Sequence, residues 1–313
     1  MENLLLSFQV VLPLCLFMGL GVWIRRRGIC GGEAVRQMNA LCFRVFLPAL
    51  LFHNLTECQL SSTLRPGLAA YAVGAVLLSF FLCFLLIPLA EKRNDRRGVL
   101  IQGIARSNFV LFGLPVTQAL YGEESGGLAA LLVAFVVPIF NAASVAALEL
   151  YRGGGRPDWK KIARGIVTNP LILASLLGLA SLFSGLRLPP LLQDFVGDVG
   201  GVATPFGLVV LGASCSLPGL KGAVRPLVLG VAGRLVLVPL LFLPAAAALG
   251  FRGPELAVLT ALFCSPTAVS SFTMAQQMGG DSDLAAGLVA VGSACSVLTV
   301  FLWIFCFKQL GLL

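Results

Sequence analysis

The chain has 313 residues, of which 58% are hydrophobic and only 12% charged, with a mean hydropathy of +0.95. A soluble domain carries about 25% charged residues, so too few are present here to coat a water-facing globule, and the chain reads as an integral membrane protein. The net charge of +8 comes from basic residues clustered between apolar runs, which marks them as topology signals at a lipid surface and not as a nucleic-acid footprint.

The first apolar run, residues 4–24, has no Lys or Arg before it and ends in Arg25-Arg26-Arg27. A secretory signal peptide carries its positive charge in front, so this run is expected to stay as a transmembrane helix. A spanning helix needs about 20 mostly apolar residues. On that criterion ten spans follow in order: 4–24, 34–55, 67–89, 99–121, 126–148, 166–186, 190–215, 226–249, 256–278 and 284–307. Alternating strands of the kind that build membrane barrels are absent from the sequence. The longest connection, 151–167, falls at the middle of the chain.

Alternate loops differ in charge. One set holds Arg25, Arg26, Arg27, Arg36, Lys92, Arg93, Arg96, Arg97, Arg152, Arg156, Lys160, Lys161, Arg164, Lys221 and Arg225; the other holds only Arg65, Arg187, Arg252 and Lys308. The positive-inside rule puts the first set in the cytoplasm. Both termini then face outward across the cytoplasmic membrane. The single histidine, His53, reads as an interfacial hydrogen-bonder in preference to a proton relay, and it leaves no histidine-rich metal site. The nine cysteines form no C-x-x-C pair, and the seven in or at the edges of apolar runs (Cys15, Cys42, Cys83, Cys215, Cys264, Cys295 and Cys306) read as packing residues. Neither a metal nor a cofactor is expected.

The two halves match at an offset near 157. Pro13-Leu14, Gly21 and Gly28 correspond to Pro170-Leu171, Gly178 and Gly185; Pro48 corresponds to Pro205, Arg65-Pro66 to Arg225-Pro226, and Gln118 and Gly122 to Gln276 and Gly280. Residues 1–150 and 168–313 are therefore read as two five-helix repeats joined by a cytoplasmic loop, 151–167. An odd number of spans per repeat inverts the second half relative to the first, the architecture of secondary transporters. The fourth and ninth spans carry matched interruptions: Ser107, Asn108, Gly113 and Pro115 in one, Ser265, Pro266, Thr267, Ser270 and Ser271 in the other. Proline and glycine weaken a helix, and freed backbone groups are tolerated in a bilayer only beside a cavity or buried in protein.

At these residues the sequence resembles the auxin efflux carrier family, which includes plant auxin transporters and bacterial organic-acid permeases. The resemblance rests on Leu47-Pro48-Ala49-Leu50-Leu51-Phe52, on Ser107-Asn108-Phe109 with Gly113-Leu114-Pro115, and on Asn169-Pro170-Leu171. It continues through Ala203-Thr204-Pro205 with Gly212-Ala213-Ser214, and Ser265-Pro266-Thr267-Ala268. It implies an all-α membrane fold of ten helices in two inverted repeats, with helices 4 and 9 broken and crossing. Helices 1, 2, 6 and 7 would form a scaffold, often dimeric, and helices 3–5 and 8–10 a mobile bundle that moves in elevator fashion. By position, Asn108 matches the polar crossover residue and Pro266-Thr267 the second crossover, while Pro48, Leu51 and Thr204 would line the scaffold side. The short central loop resembles the bacterial type, which favours a small organic anion over auxin.

Among candidate site residues, Asn108 could orient a carboxylate or satisfy broken backbone. Ser265, Thr267 and Ser270 could contact substrate or bond back to helix carbonyls. Asp198 is the coupling candidate: a carboxyl deep in the seventh span could carry a proton, whereas a span that starts later would leave Asp194 and Asp198 solvated. Arg44, Arg106 and Arg234 fall inside spans, where an arginine costs about 2.5 kcal/mol or more. Arg106 directly precedes the Ser107-Asn108 break and is expected to contact a substrate carboxylate; Arg44 and Arg234 either serve a second carboxylate or snorkel toward the cytoplasm. The expected activity is carriage of a mono- or dicarboxylate. A sodium-coupled symporter or cation/proton antiporter would place acids beside the crossing, and spans four and nine have none. A membrane enzyme would need a motif such as H-E-x-x-H or G-x-S-x-G, and neither occurs.

Overall fold

The structure, a computed structural model, describes residues 2–57, 66–152, 159–215 and 222–313. Arg65, Arg156 and Lys221, used above for topology and repeat matching, lie outside the described residues. Helices account for nearly all regular structure: α1 (Glu2–Arg26), α2 (Gly32–Thr56), α3 (Pro66–Ala90), α4 (Asn94–Ala105), α5 (Leu114–Tyr121), α6 (Glu123–Leu150), α7 (Trp159–Val167), α8 (Pro170–Ser184), α9 (Pro190–Ser214), α10 (Val224–Ala248), α11 (Gly253–Cys264), α12 (Ser270–Gln277) and α13 (Ser282–Gln309). Among the described residues six stretches are long and apolar enough to cross a membrane: α2, α3, Leu128–Leu150 of α6, α9, α10 and α13. Phe109–Gln118, α8 and α11 are shorter apolar helices.

Local chemistry sets several boundaries. Asn169 caps α8 by accepting the Leu171 N–H at 2.9 Å, Pro170 takes the first helical position where no N–H is needed, and Gly185 ends the helix at φ +71°. Asp281 caps α13 through the Leu284 N–H at 3.0 Å. The segment read from sequence as a plain loop is helical over Trp159–Val167. It is amphipathic, with Ile162 buried and Lys160, Arg164 and Trp159 exposed, a pattern suited to a membrane interface.

Small residues let particular helices touch backbone to backbone, as they do in bilayers, where no hydrophobic force draws helices together. A Cβ on Gly212 would lie 2.0 Å from the Met18 oxygen, and one on Gly21 2.0 Å from the Val209 oxygen, so α1 and α9 are in main-chain contact. Gly200 meets the Leu50 backbone, and Gly178 sits on Leu55. These contacts gather α1, α2, α8 and α9 into one packed group. A second group is gathered by Gly98 of α4 on the Ala147 oxygen of α6 and by Gly230 of α10 on Leu288 of α13 and Leu100 of α4. Three π-helical turns interrupt these helices: Cys42–Phe46, which carries Arg44, Phe109–Gly113, just after Asn108, and Gly233–Leu237, which carries Arg234. Such turns re-aim side chains and occur frequently at functional sites.

Candidate functional site: a helix crossing and its cavity

α11 stops at Cys264 because Pro266 has no N–H for the ladder and pushes the preceding residue out of the helical region; Ser265 sits at φ −60°, ψ 142°. α4 stops at Ala105 without such a signal. Arg106 is extended at φ −90°, ψ 121°, and the helix resumes as the π-turn at Phe109. Pro115 does not cause this break, since it lies in the first turn of α5. The two extended segments pair with each other. Ser107 and Thr267 form an isolated antiparallel bridge, the Asn108 N–H donates to the Pro266 oxygen at 2.8 Å, and the Thr267 hydroxyl donates to the Gly103 oxygen at 2.6 Å. Each interruption supplies polar partners to the other, which is how irregular backbone survives away from water.

Two arginines meet this crossing and do different things. Arg234, 2% exposed, donates through Nε to the Ser265 oxygen at 2.8 Å. Its Nη1 donates to Ile104 and Ala105 at 3.1 and 3.4 Å, and its Nη2 to Leu262 and Phe263 at 2.9 and 2.8 Å. A guanidinium has five N–H donors, and these carbonyls match that number. They are the carbonyls at or just past the C-terminal ends of α4 and α11, where the helix dipole is negative. Arg234 thus neutralises both broken ends and keeps no donor for an additional carboxylate.

Arg106, 4% exposed, is partnered only by neutral groups among the described residues. Its Nη2 donates to Asn141 Oδ1 at 2.8 Å and to Ser270 Oγ at 2.7 Å, and its Nη1 contacts the Met274 thioether, a weak acceptor. No ion pair involving Arg106 occurs among the described residues. Beside it lies a cavity of about 90 Å³, room for on the order of three water molecules. From the crossing it is lined by Arg106, Ser107, Asn108, Ser270 and Thr273, and from the α1/α2/α8/α9 group by Leu51, Asn54, Thr204 and Gly207 among others. Arg106 is the one charged group in that lining. The buried Asn108 Nδ2 and Ser107 Oγ have no hydrogen-bond partner among the described residues. The N-terminal end of α12 also faces this space through Ser270 and adds positive partial charge.

The cavity therefore gathers Arg106, Ser107, Asn108, Ser270, Leu51 and Thr204 from the sequence-derived set. Ser265, Pro266 and Thr267 hold the crossing together and do not line it: the Ser265 hydroxyl bonds back to the Ala261 oxygen, and Pro266 accepts from Asn108. Pro48 also stays outside the lining. Arg44 is exposed on α2 with no partner among the described residues, and Asp198 and Asp194 are exposed on α9, away from the cavity. His53 packs against Gly197 on the adjoining helix.

Sequence reading passed over Asn141, Ser175 and Asn54. Asn141 is a solitary amide in a stretch of α6 that is apolar apart from Ser144, and it is 0% exposed. Polar groups placed so deep in a membrane are costly unless used, and that was the available signal.

The family model described as "Membrane transport protein" matches residues 6–157 and 159–304. A Rhizobium meliloti protein named "Putative malonate transporter" is 29% identical over 301 residues, covering 93% of this chain and 92% of that one. A Methanothermobacter thermautotrophicus protein named "Uncharacterized transporter" is 24% identical over 304 residues, covering 95% and 97% respectively. With nearly its whole length matched to that model, the chain belongs to the membrane transport protein family, the auxin efflux carrier group of transporters.

Proposed function

We propose that this protein is a secondary carrier that moves a small mono- or dicarboxylate, with malonate as the leading case, across the cytoplasmic membrane by alternating access. The observation that carries the reading is Arg106: a buried guanidinium, with neutral partners only, at the edge of a cavity that contains no acid. An unpaired charge in a protein interior is costly, and breaking a buried pair costs about 3–5 kcal/mol. A ligand carboxylate would supply the missing counter-charge. The unpartnered donors of Asn108 and Ser107 would satisfy its remaining lone pairs. The name of the Rhizobium meliloti relative supports the same class of ligand.

In this reading α4 with α5, and α11 with α12, are the two halves of broken spans, giving ten crossings in two inverted repeats, 1–150 and 168–313. The packed group of α1, α2, α8 and α9 is the scaffold, paired with a second copy in a homodimer. The remaining helices form the bundle that carries the crossing past it in an elevator motion. Both termini face outward, and α7 lies on the cytoplasmic surface.

The test is binding and flux on purified protein. Malonate and other short carboxylates should raise the thermal unfolding midpoint, since a ligand that binds the folded state stabilises it; choline and sodium alone should not. Arg106→Gln should abolish that shift and the uptake into liposomes, and Arg106→Lys should retain part of both. An unchanged malonate affinity in Arg106→Gln would remove the basis of the reading.

A further inference from the structure

Asn141 stands between the candidate site and the packed group across from it. Its Oδ1 accepts from Arg106 Nη2 at 2.8 Å, and its Nδ2 donates to Ser175 Oγ at 3.3 Å. Ser175 in turn donates to the Leu171 oxygen one turn back on α8, at 2.8 Å. All three side chains are buried. Arg106 and Asn141 belong to the group built on α4, α6, α10 and α13, whereas Ser175 belongs to the group built on α1, α2, α8 and α9. One chain of hydrogen bonds therefore starts at the guanidinium facing the cavity and ends on the other body.

We propose that Asn141 and Ser175 are positioning residues that report the occupancy of the Arg106 site, holding the two groups of helices together while the site is empty and releasing them when an anion binds. The inference rests on the carboxylate reading of the cavity. Arg106 Nη2 is held by the Asn141 amide oxygen and the Ser270 hydroxyl, the two acceptors with which a carboxylate would compete. The bond to Asn141 is charge-assisted on the guanidinium side only, whereas a carboxylate adds the opposite charge and can engage the guanidinium in bidentate fashion, so an incoming carboxylate outcompetes Asn141 for Arg106 Nη2. Once Oδ1 loses the guanidinium, nothing fixes which way the amide points, and the Nδ2 bond to Ser175 loses its orientation. Because the ligand bonds differently in the held and released states, it shifts the balance between them. An empty carrier then reorients slowly and a loaded one quickly, so exchange of substrate outruns net transport.

Two variants test this in reconstituted liposomes. In the wild type, malonate/malonate exchange should exceed net uptake by about fivefold or more, the worth of one net hydrogen bond. Ser175→Ala removes the bond to the second group without touching the cavity lining. It should keep the malonate-induced thermal shift and bring the ratio of exchange to net uptake toward one. Asn141→Asp places a resident carboxylate on Arg106. It should raise the unfolding midpoint of the ligand-free protein and abolish the malonate shift, which loss of a merely structural contact would not do. An unchanged ratio in Ser175→Ala with malonate binding intact overturns the proposal, as does normal malonate binding by Asn141→Asp. Failure of the wild type to bind any carboxylate is a separate result, and it would overturn the carrier reading itself.

Discussion

The Nε of Arg234 lies 2.8 Å from the main-chain oxygen of Ser265, and the same guanidinium reaches the Ala105 oxygen at the end of the other interrupted helix. One side chain from α10 thereby ties together two helix ends that are far apart in sequence. It also separates the electrostatics of the crossing into two sides. The negative C-terminal ends point at Arg234, while Ser270, at the positive start of α12, faces the cavity.

Arg234→Met should therefore destabilise the protein severely, by about 3 kcal/mol or more, because it leaves buried carbonyls at two helix ends without donors. Arg234→Lys, with three donors and the charge retained, should fall in between. Unfolding in detergent, followed by heat or denaturant, measures both. A loss under about 1 kcal/mol for Arg234→Met would show that the contacts are incidental.

Asn108→Ala should behave in the opposite way. The Asn108 amide nitrogen has no hydrogen-bond partner among the described residues, so truncating it should cost little stability, within about 1 kcal/mol. If Asn108 donates to a bound carboxylate, its loss should weaken malonate binding by about tenfold or more, since hydrogen bonds to charged groups contribute about 1.5–3 kcal/mol. Equal malonate midpoint shifts for variant and wild type would show that the Asn108 side chain takes no part in binding.

The contact between α1 and α9 gives a packing test. Gly212→Ala drives a methyl to within 2.0 Å of the Met18 oxygen, a backbone atom that cannot rotate away. Overpacking of this kind costs about 1–3 kcal/mol. Gly74→Ala is the control, since nothing lies within 4 Å of the added carbon on the exposed side of α3. The first variant should lower the unfolding midpoint and the second should leave it unchanged or raise it slightly.

The proposed orientation is open to labelling. In a background freed of native cysteines, Ile29→Cys at the end of α1 should react only from the cytoplasm, and Leu249→Cys at the end of α10 only from outside. Both positions are exposed. Reaction of both from the same face in intact cells would refute the alternation on which the inverted repeat depends.

The sequence alone determined the broad class of this protein, because an apolar composition with basic clusters between runs has few physical solutions other than helices in a bilayer. Polar residues, glycine and proline also drew attention to both interrupted segments, although only Pro266 gives its helix a local reason to stop. Residue chemistry did not reveal what each polar group would meet. Arg106 and Arg234 look alike in sequence, two arginines in apolar segments, yet one faces a cavity with neutral partners and the other is fully occupied by helix ends. Arg44, with the same chemistry, is exposed on α2. Nothing local stops α4 at Ala105; the pairing of Ser107 with Thr267 holds that break open, and this is a contact between distant segments. Asn141 and Ser175 were passed over for the same reason, as a lone amide and a lone hydroxyl in different helices that become a linked pair only when α6 and α8 pack together. Hydropathy acts along the chain and can be read from it. Hydrogen-bond satisfaction is settled between helices, so the tertiary structure decided which polar groups support the fold and which, among the described residues, keep no partner.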